Sequence, residues 1–383
     1  MPFCIGAENE TKIFYRMYGS GPIKVLLIIG LAGTHDSWCP QIVALTGSDT
    51  PNDDESTAAN CRSIDGLDGI HVCAFDNRGM GRSSVPLHKS DYSTIIMAKD
   101  AIALMDHLGW RKAHVFGHSM GGMIACKLAS MVPDRILSLA LLNVTGGGFE
   151  CFPKLDRKTL SIAIRFLRAK TPEQRAAVDL DTHYTEEYLE QSVGSTSKTR
   201  REILYQQYVK GISAAGMQST NGFDGQVNAC WTHKVTSRDI ESILSAGFLI
   251  SVIHGRYDVI AQIYHARRLA KKLQPYARMV DLHGGHLVSH ERTDEVNQAL
   301  VDLIKASETK VSPREWTNFH MENSDRISST VLDAGDESSI IVYMLRKMHV
   351  GLLYLFSLFM MTLGYARTAF KSLKPAKVEA ALT

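Results

Sequence analysis

The stretch VFGHSMGGM, Val115 to Met123, places Ser119 midway between Gly117 and Gly121. The apolar run AHVFG leads into it, and a helical pattern, GGMIACKLAS, follows it. A serine at such a strand-to-helix turn has its hydroxyl raised above the sheet. Side chains at 117 and 121 would collide with neighbouring backbone, which explains why both positions are glycine. The stretch therefore predicts a nucleophilic serine on a tight turn between a strand and a helix.

Other short apolar runs recur along the chain, separated by segments of helical length. Continuous apolar strands that alternate with helices predict an α/β fold, with a mostly parallel sheet covered by helices on both faces. The runs are KVLLIIG from Lys24, IHVCAFD from Ile70, AHVFG from Ala113, ILSLALLNV from Ile136, FLISVIHG from Phe248 and ARMVDLHG from Ala277.

The alternation is interrupted between residues 145 and 235. Two long amphipathic segments, TLSIAIRFLRAKTPEQRAAVDL and SKTRREILYQQYVKGISAAG, follow one another there without an intervening strand. We interpret 145–235 as a helical cap inserted between two parts of one core, 1–144 and 236–307. Residues 308–339 are polar and are interpreted as a linker, and 340–370 as a hydrophobic tail helix.

The composition of the chain limits the kinds of molecule that it is expected to bind. The chain has 383 residues, of which 45% are hydrophobic, enough for a substantial core. Its 42 basic and 40 acidic residues are interspersed and give a formal charge of +2, so there is no electrostatic case for nucleic acid. Metal-ligand spacings and phosphate-binding loops are not found in the sequence, and we expect no metal and no cofactor. A small, neutral partner is favoured.

A serine hydroxyl is a poor nucleophile, so a histidine must take its proton and an acid must orient that histidine. In the strand–turn–helix context the order along the chain is serine, acid, histidine. RYDVIA follows the run from Phe248 and places Asp258 beyond the carboxyl end of a strand. GHLVSHE follows the run from Ala277 and places His286 in a glycine-hinged loop. Ser119, Asp258 and His286 are therefore the predicted catalytic residues.

Each assignment has an alternative. His283 and His290 are rival bases, the first nearer the strand and the second nearer the following helix. Asp258 could instead cap the helical pattern VIAQIYHARRLA, because aspartate caps helices well. Ser119 could be a turn serine between packing glycines. A rival acid after the run from Ile136 is excluded, since that position holds Asn143.

A tetrahedral intermediate also needs hydrogen-bond donors for its oxyanion. The backbone N–H of Met120, directly after the predicted nucleophile, is one candidate. The loop after KVLLII contains Gly30, Leu31, Ala32 and Gly33, which lets backbone approach a substrate. We predict the N–H of Leu31 as the second donor.

Residues 11 to 307 resemble the α/β-hydrolase superfamily, in its esterase and lactonase-like branch with a helical cap. The resemblance rests on GLAGTHDSW, FDNRGMGRSS, GHSMGG, HGRYD and GGH, in that order. It implies a serine hydrolase that cleaves an uncharged or lipid-like ester or lactone through an acyl-enzyme. It also implies structural roles for Asp76 and Arg78. Family members often carry His-Gly before the oxyanion donor, whereas this chain has Ile29 and Gly30.

Two other functions stay open at this stage. The superfamily contains small-ligand receptors with little or no catalysis and lyases that use no cofactor. An intact Ser-Asp-His set disfavours the receptor but does not exclude it. Epoxide hydrolases and dehalogenases of this kind use aspartate at the turn, so Ser119 argues against both.

The apolar run from Val350 to Ala366, VGLLYLFSLFMMTLGYA, is 17 residues long and has no charge. Basic residues flank it on both sides, which suits a helix spanning a membrane. The alternative is a helix lying on a membrane or covering a groove of the same protein. The N-terminus lacks a secretory signal pattern. We therefore expect a membrane-associated protein with a transmembrane helix and a cytosol-facing catalytic domain.

Overall fold

The computed structural model describes residues 2–8, 10–52, 67, 69–154, 156–194, 197–215 and 217–318. Its strands form a single sheet in the order β1-β2-β4-β3-β5-β6-β7-β8. The strands are β1 (Phe3–Ile5), β2 (Lys12–Tyr18), β3 (Ile23–Ile28), β4 (Ile70–Phe75), β5 (Ala113–His118), β6 (Ile136–Leu142), β7 (Leu249–Gly255) and β8 (Ala277–Leu282). The last six are the six apolar runs of the sequence.

The pairing is parallel from β4 across to β8, as the sequence predicts. Every residue of β5 and β7 is buried, because helices cover both faces of the sheet. The strands β1 and β2 lie outside the six apolar runs. They add antiparallel pairs at one edge, where Tyr15 of β2 lies opposite Phe75 of β4.

Two apolar layers hold the helices to the sheet. The helices are α1 (Cys39–Thr46), α2 (Thr94–His107), α3 (Met120–Met131), α4 (Arg157–Arg168), α5 (Pro172–His183), α6 (Glu186–Leu189), α7 (Arg200–Ala215), α8 (Thr220–Thr232), α9 (Ser237–Ala246), α10 (Ile263–Lys272), α11 (Val288–Glu291), α12 (Thr293–Glu308) and α13 (Pro313–Trp316). One face of the sheet packs against α2, α3, α9 and α10, and the other against α1, α12 and the side chain of Trp316.

Helices α4 to α8 lie between β6 and β7 without an intervening strand of the sheet, inside the range predicted as a cap. We call them the helical insertion. Side-chain hydroxyl or carboxylate groups cap the start of most of these helices; for example, Oδ1 of Asp156 accepts from the N–H of Thr159 at the start of α4. That the insertion acts as a cap over the site stays a prediction.

The compact fold extends past the predicted boundary at 307. The indole of Trp316 is buried, and its Nε1 donates to the carbonyl oxygen of Ile250 at 2.8 Å. The amide side chain of Asn318 bonds both backbone groups of Met279 on the edge strand β8. The predicted linker therefore begins too early, since its first residues pair with the sheet. The rest of it lies outside the described residues.

The prediction of membrane association is wrong on the structure as described. Within the described ranges, no helix combines the length and the apolar character needed to cross a bilayer. The segment predicted to do so, 340–370, lies outside them. The predictions of a transmembrane helix, of a membrane partner and of a membrane-associated localisation with a cytosol-facing domain are therefore not supported.

Candidate active site

Ser119 lies on the turn between β5 and α3, with φ of 54° and ψ of −121°. A non-glycine residue at positive φ is strained, and such strain is concentrated at functional sites. A Cβ at Gly117 would lie 2.3 Å from the carbonyl oxygen of Gly121, and one at Gly121 would lie 2.0 Å from that of Ile28. The two glycines are therefore required by backbone contact, as the sequence predicts.

The structure brings the three predicted catalytic side chains together. The Nε2 atom of His286 lies 3.0 Å from the Oγ atom of Ser119, and its Nδ1 atom lies 2.7 Å from Oδ2 of Asp258. The three residues follow the carboxyl ends of β5, β7 and β8, which meet at one edge of the parallel sheet. His286 and Asp258 are buried, whereas Ser119 is partly exposed.

The carboxylate of Asp258 is fully hydrogen-bonded. Its Oδ1 accepts from the N–H groups of Ile260 and Ala261, both at 2.8 Å, and its Oδ2 accepts from Nδ2 of Asn143 at 2.8 Å as well as from His286. Burial raises the pKa of Asp258, but the charge and hydrogen bond of His286, together with His254 and the hydrogen bond of Asn143, outweigh it, and the pKa falls to about 2. Asp258 is not a helix cap, because α10 begins further along the chain.

Asn143 is a site residue that the sequence analysis discarded. It follows β6 with φ of 48°, and its Nδ2 donates to Asp258 and, at 3.1 Å, to the carbonyl oxygen of Gly285. It thus joins the acid to the loop that carries His286. The available signal was its position directly after the carboxyl end of β6, the strand that pairs with β7.

Two further imidazoles contact His286. Nε2 of His118, on β5, donates to the carbonyl oxygen of His286 at 2.9 Å, and the two ring centroids are 5.1 Å apart. His183, at the end of α5, stacks on His286 with centroids 6.0 Å apart. Burial, followed by the proximity of His286, lowers the pKa of each to about 3. Both rings are therefore neutral near pH 7, so neither adds a positive charge beside His286.

The backbone of His183 explains the glycine that directly precedes His286. A Cβ at Gly285 would lie 2.6 Å from the carbonyl oxygen of His183. The same oxygen accepts from the N–H of Leu287 at 2.9 Å. The helical insertion thus touches the loop on both sides of the predicted base, and only glycine leaves room for that contact.

The rival histidines bond elsewhere. Nε2 of His283 faces the carboxylate of Glu187 at 3.4 Å. Nε2 of His290 donates to the carbonyl oxygen of Ser37 at 2.7 Å, and burial lowers the pKa of His290. Of the three histidines in this segment, His286 is the one that the structure joins to the serine.

The predicted oxyanion donors flank the serine. Met120 is the first residue of α3, where N–H groups have no carbonyl one turn earlier to bond. A Cβ at Gly30 would lie 2.9 Å from Cβ of Ser119, so the loop that contains Leu31 runs directly against the predicted nucleophile. Their role as donors stays a prediction.

Two side chains of the loop after β4, Asp76 and Arg78, bond neighbouring segments of the core. Oδ1 of Asp76 accepts from the backbone N–H of His35 and lies 2.8 Å from its Nδ1. Arg78 makes a buried, two-bonded ion pair with Asp100, with both N–O distances 2.7 Å. These contacts tie the loop to the segment that contains His35 and to α2, which agrees with structural roles for Asp76 and Arg78.

Among residues that the structure describes, no group of three or more His, Cys, Asp or Glu side chains is placed to hold a metal ion. The site side chains are instead bonded to one another. The absence of a cofactor stays a prediction.

The family model described as α/β hydrolase fold matches residues 24–293. The chain belongs to this family. Solved structures are similar in fold to this α/β hydrolase. An enol-lactonase from Burkholderia xenovorans has a TM-score of 0.60 at 23% identity, over 79% of this chain and 100% of the other. An esterase from Thermogutta terrifontis has a TM-score of 0.58 at 19% identity, over 80% and 98%.

Curated relatives match parts of the chain of different length. RutD of Caulobacter segnis, named as a carbamate hydrolase, is 36% identical over 134 residues, which are 34% of this chain. This α/β hydrolase spans 42% of the length of that relative and 54% of RutD from Azorhizobium caulinodans. The acetyltransferase component of an acetoin cleaving system from Pseudomonas putida is 25% identical over 294 residues, 76% of this chain and 66% of the relative.

Proposed function

We propose that this α/β hydrolase is a serine hydrolase that cleaves a carboxylic ester or lactone through an acyl-enzyme on Ser119. The observation that carries the proposal is the continuous hydrogen-bond chain from Ser119 Oγ through His286 to Asp258, with distances of 3.0 and 2.7 Å. A nucleophile, a base within reach of its proton and an acid that orients the base are the parts that acyl transfer needs.

In the first step Oγ of Ser119 attacks the substrate carbonyl carbon, and its proton passes to Nε2 of His286. Asp258 holds the Nδ1–H of the imidazole and stabilises the positive charge that develops on the ring. The tetrahedral intermediate collapses when the bond to the leaving oxygen breaks. That oxygen takes the proton from Nε2, leaving an ester between the acyl group and Ser119.

In the second step a water molecule attacks the acyl carbon and gives its proton to Nε2 of His286. Collapse of this second tetrahedral intermediate breaks the bond to Oγ, which recovers the proton. With a lactone, the leaving oxygen stays attached to the acyl group, and the product is a hydroxy acid. The protein ends both reactions unchanged.

The negative oxygen of each intermediate is assigned to the N–H groups of Met120 and Leu31. Within the Gly30–Gly33 loop, the N–H of Ala32 already donates to a side chain at 2.9 Å, and that of Gly33 to the carbonyl oxygen of Gly30 at 3.3 Å. The N–H of Leu31 is therefore the candidate oxyanion donor from this loop. Removing one such donor typically costs about 10²- to 10³-fold in kcat.

Esters and lactones are favoured over charged substrates by the electrostatics of the site. The imidazoles of His118 and His183 are neutral near pH 7. The negative charge of Asp258 is stabilised by the four hydrogen bonds that its carboxylate accepts. The names of the enol-lactonase and esterase neighbours are consistent with this substrate class. A carbamate, the substrate in the name of RutD, also has a carbonyl carbon and belongs in the same test.

The test is hydrolysis of p-nitrophenyl esters of increasing acyl length, a simple lactone and an aryl carbamate by purified protein. We expect turnover of at least one short ester, and a loss on the order of 10⁶ in kcat for Ser119→Ala. Ser245→Ala is the matched control, since this serine lies at the surface of α9. Turnover that survives Ser119→Ala would refute the proposal. Tight binding of small ligands without any turnover would favour the receptor, and carbon–carbon cleavage would favour the lyase.

A further inference from the structure

Gln226 of α8 is a fully buried polar residue that joins the helical insertion to two loops of the core. Its Oε1 accepts from the backbone N–H of Ala32 at 2.9 Å, and its Nε2 donates to the carbonyl oxygen of Arg78 at 3.0 Å. Nε2 of Gln218 also donates to Oε1 of Gln226, at 3.0 Å. Because a backbone N–H only donates and a carbonyl only accepts, these partners fix the orientation of the amide.

Ala32 needs such a partner. Its φ is 60°, in the left-handed region that a residue with a Cβ rarely adopts. Such conformations persist where the surroundings hold them. On the other side, Gly30 lies against Ser119. The peptide of Leu31 is therefore held between the nucleophile at one end and Gln226 at the other.

We propose that Gln226 is a positioning residue that fixes the N–H of Leu31 as an oxyanion donor. The inference rests on the proposed function, because it concerns the same acyl transfer. Gln226 touches neither substrate nor the reacting atoms. It acts by occupying the N–H of Ala32 and holding the left-handed turn, which sets the direction in which the preceding N–H points.

A donor aimed at the oxyanion stabilises the transition state and not the ground-state carbonyl. Loss of Gln226 should therefore lower kcat and leave KM nearly unchanged. A displacement of about 1 Å in a catalytic group costs on the order of 10²-fold. We expect Gln226→Met, which keeps the volume but loses both hydrogen bonds, to lower kcat about 10- to 100-fold with KM within about twofold.

The matched control is Asn228→Leu in the same helix. Nδ2 of Asn228 donates to the carbonyl oxygens of Lys89 and Tyr92, both at 3.1 Å, and so joins the insertion to the core away from the oxyanion loop. If Gln226 merely helped the insertion to dock, both variants would change kcat alike. We expect kcat to fall only in Gln226→Met.

A transition-state analogue supplies a second readout. A trifluoromethyl ketone with the acyl chain of the best ester adds Ser119 Oγ and forms a tetrahedral oxyanion. Its inhibition constant should rise in Gln226→Met by the same factor by which kcat/KM falls. Unchanged affinity for the ketone, or an effect on KM alone, would overturn the inference.

Gln226→Glu covers the case in which the methionine variant does not fold. Burial raises the pKa of a carboxyl, and the protonated form reproduces both bonds, to Ala32 and to the carbonyl of Arg78. The oxygen that faces Ala32 accepts from its N–H in both protonation states, so this variant keeps the contact that holds the turn, and kcat should stay close to that of wild type. A large fall in kcat with KM unchanged would contradict the inference. Failure of wild type and Asn228→Leu to hydrolyse any ester would instead refute the proposed function.

Discussion

Asp258→Asn is the substitution whose effect follows most directly from the structure. The carboxylate accepts four hydrogen bonds, two from backbone N–H groups on Oδ1 and two from Asn143 and His286 on Oδ2. An amide has one oxygen and one NH₂ group, so it cannot accept on both sides. If the NH₂ group took the Oδ1 position, it would face two backbone donors that cannot turn away.

The NH₂ group should therefore take the Oδ2 position, where both partners can adapt. Asn143 can turn its amide oxygen, which has no hydrogen-bond partner in the described structure, towards the new donor. His286 can accept only by moving its proton from Nδ1 to Nε2. That tautomer presents an N–H to Ser119 and cannot take the hydroxyl proton, although the fold is kept.

We expect kcat to fall about 10⁴-fold, equivalent to about 5 kcal/mol of transition-state stabilisation, with little change in KM. The assay is p-nitrophenyl ester hydrolysis at saturating substrate, with thermal unfolding measured on the same samples. Asp302→Asn, in a surface hydrogen bond with Gln298, is the control and should keep full activity. A kcat for Asp258→Asn within tenfold of wild type would refute the assignment of the acid.

Two other predictions concern pH and packing. Between about pH 5 and 9, His118 and His183 should not contribute to the pH dependence of kcat/KM, because burial holds the pKa of each at about 3. The measurement is the pH profile of kcat/KM, and an acid limb with a slope above one would contradict the neutral state of these two imidazoles. Gly121→Ala should lower the free energy of unfolding by about 3 kcal/mol or more in a denaturant titration, because its Cβ would lie 2.0 Å from a carbonyl oxygen of β3. Gly211→Ala in α7 is the control, since no described atom lies within 4 Å of its added Cβ, and an equal effect in both would contradict this reasoning.

The parallel part of the fold could be predicted because its signal is local. Each central strand is a short run of apolar residues, and β5 and β7 are buried at every position. The strands β1 and β2 carry a weaker signal. β1 has only three residues, and β2, KIFYRMY, mixes exposed and buried positions because it pairs antiparallel near the edge of the sheet.

In the candidate site, too, residues with a local sequence signal could be predicted and residues without one could not. Ser119, Asp258 and His286 could be proposed because each follows a recognisable strand and carries a residue type with known chemistry. The position of Asn143 was considered only as a place for the catalytic acid, and its amide was not expected to contribute. Gln226 bonds Ala32 across 194 positions of sequence, and no local pattern indicates such a contact.

The membrane prediction failed because it rested on the composition of one apolar run. Hydropathy describes how a segment partitions but not what it contacts in the folded protein. The described ranges contain no helix suited to crossing a bilayer. The linker boundary failed similarly, because Trp316 and Asn318 lie in a polar stretch but bond the sheet.

The most direct test of the central claim is titration of the purified protein with a fluorophosphonate. Ester turnover and the modified fraction of the Ser119 peptide are measured in the same aliquots, the second by mass spectrometry. The account predicts that turnover falls in proportion to modification of Ser119 and vanishes at one adduct per chain. Turnover that persists with Ser119 fully modified, or an inactivating adduct on another residue, would contradict it.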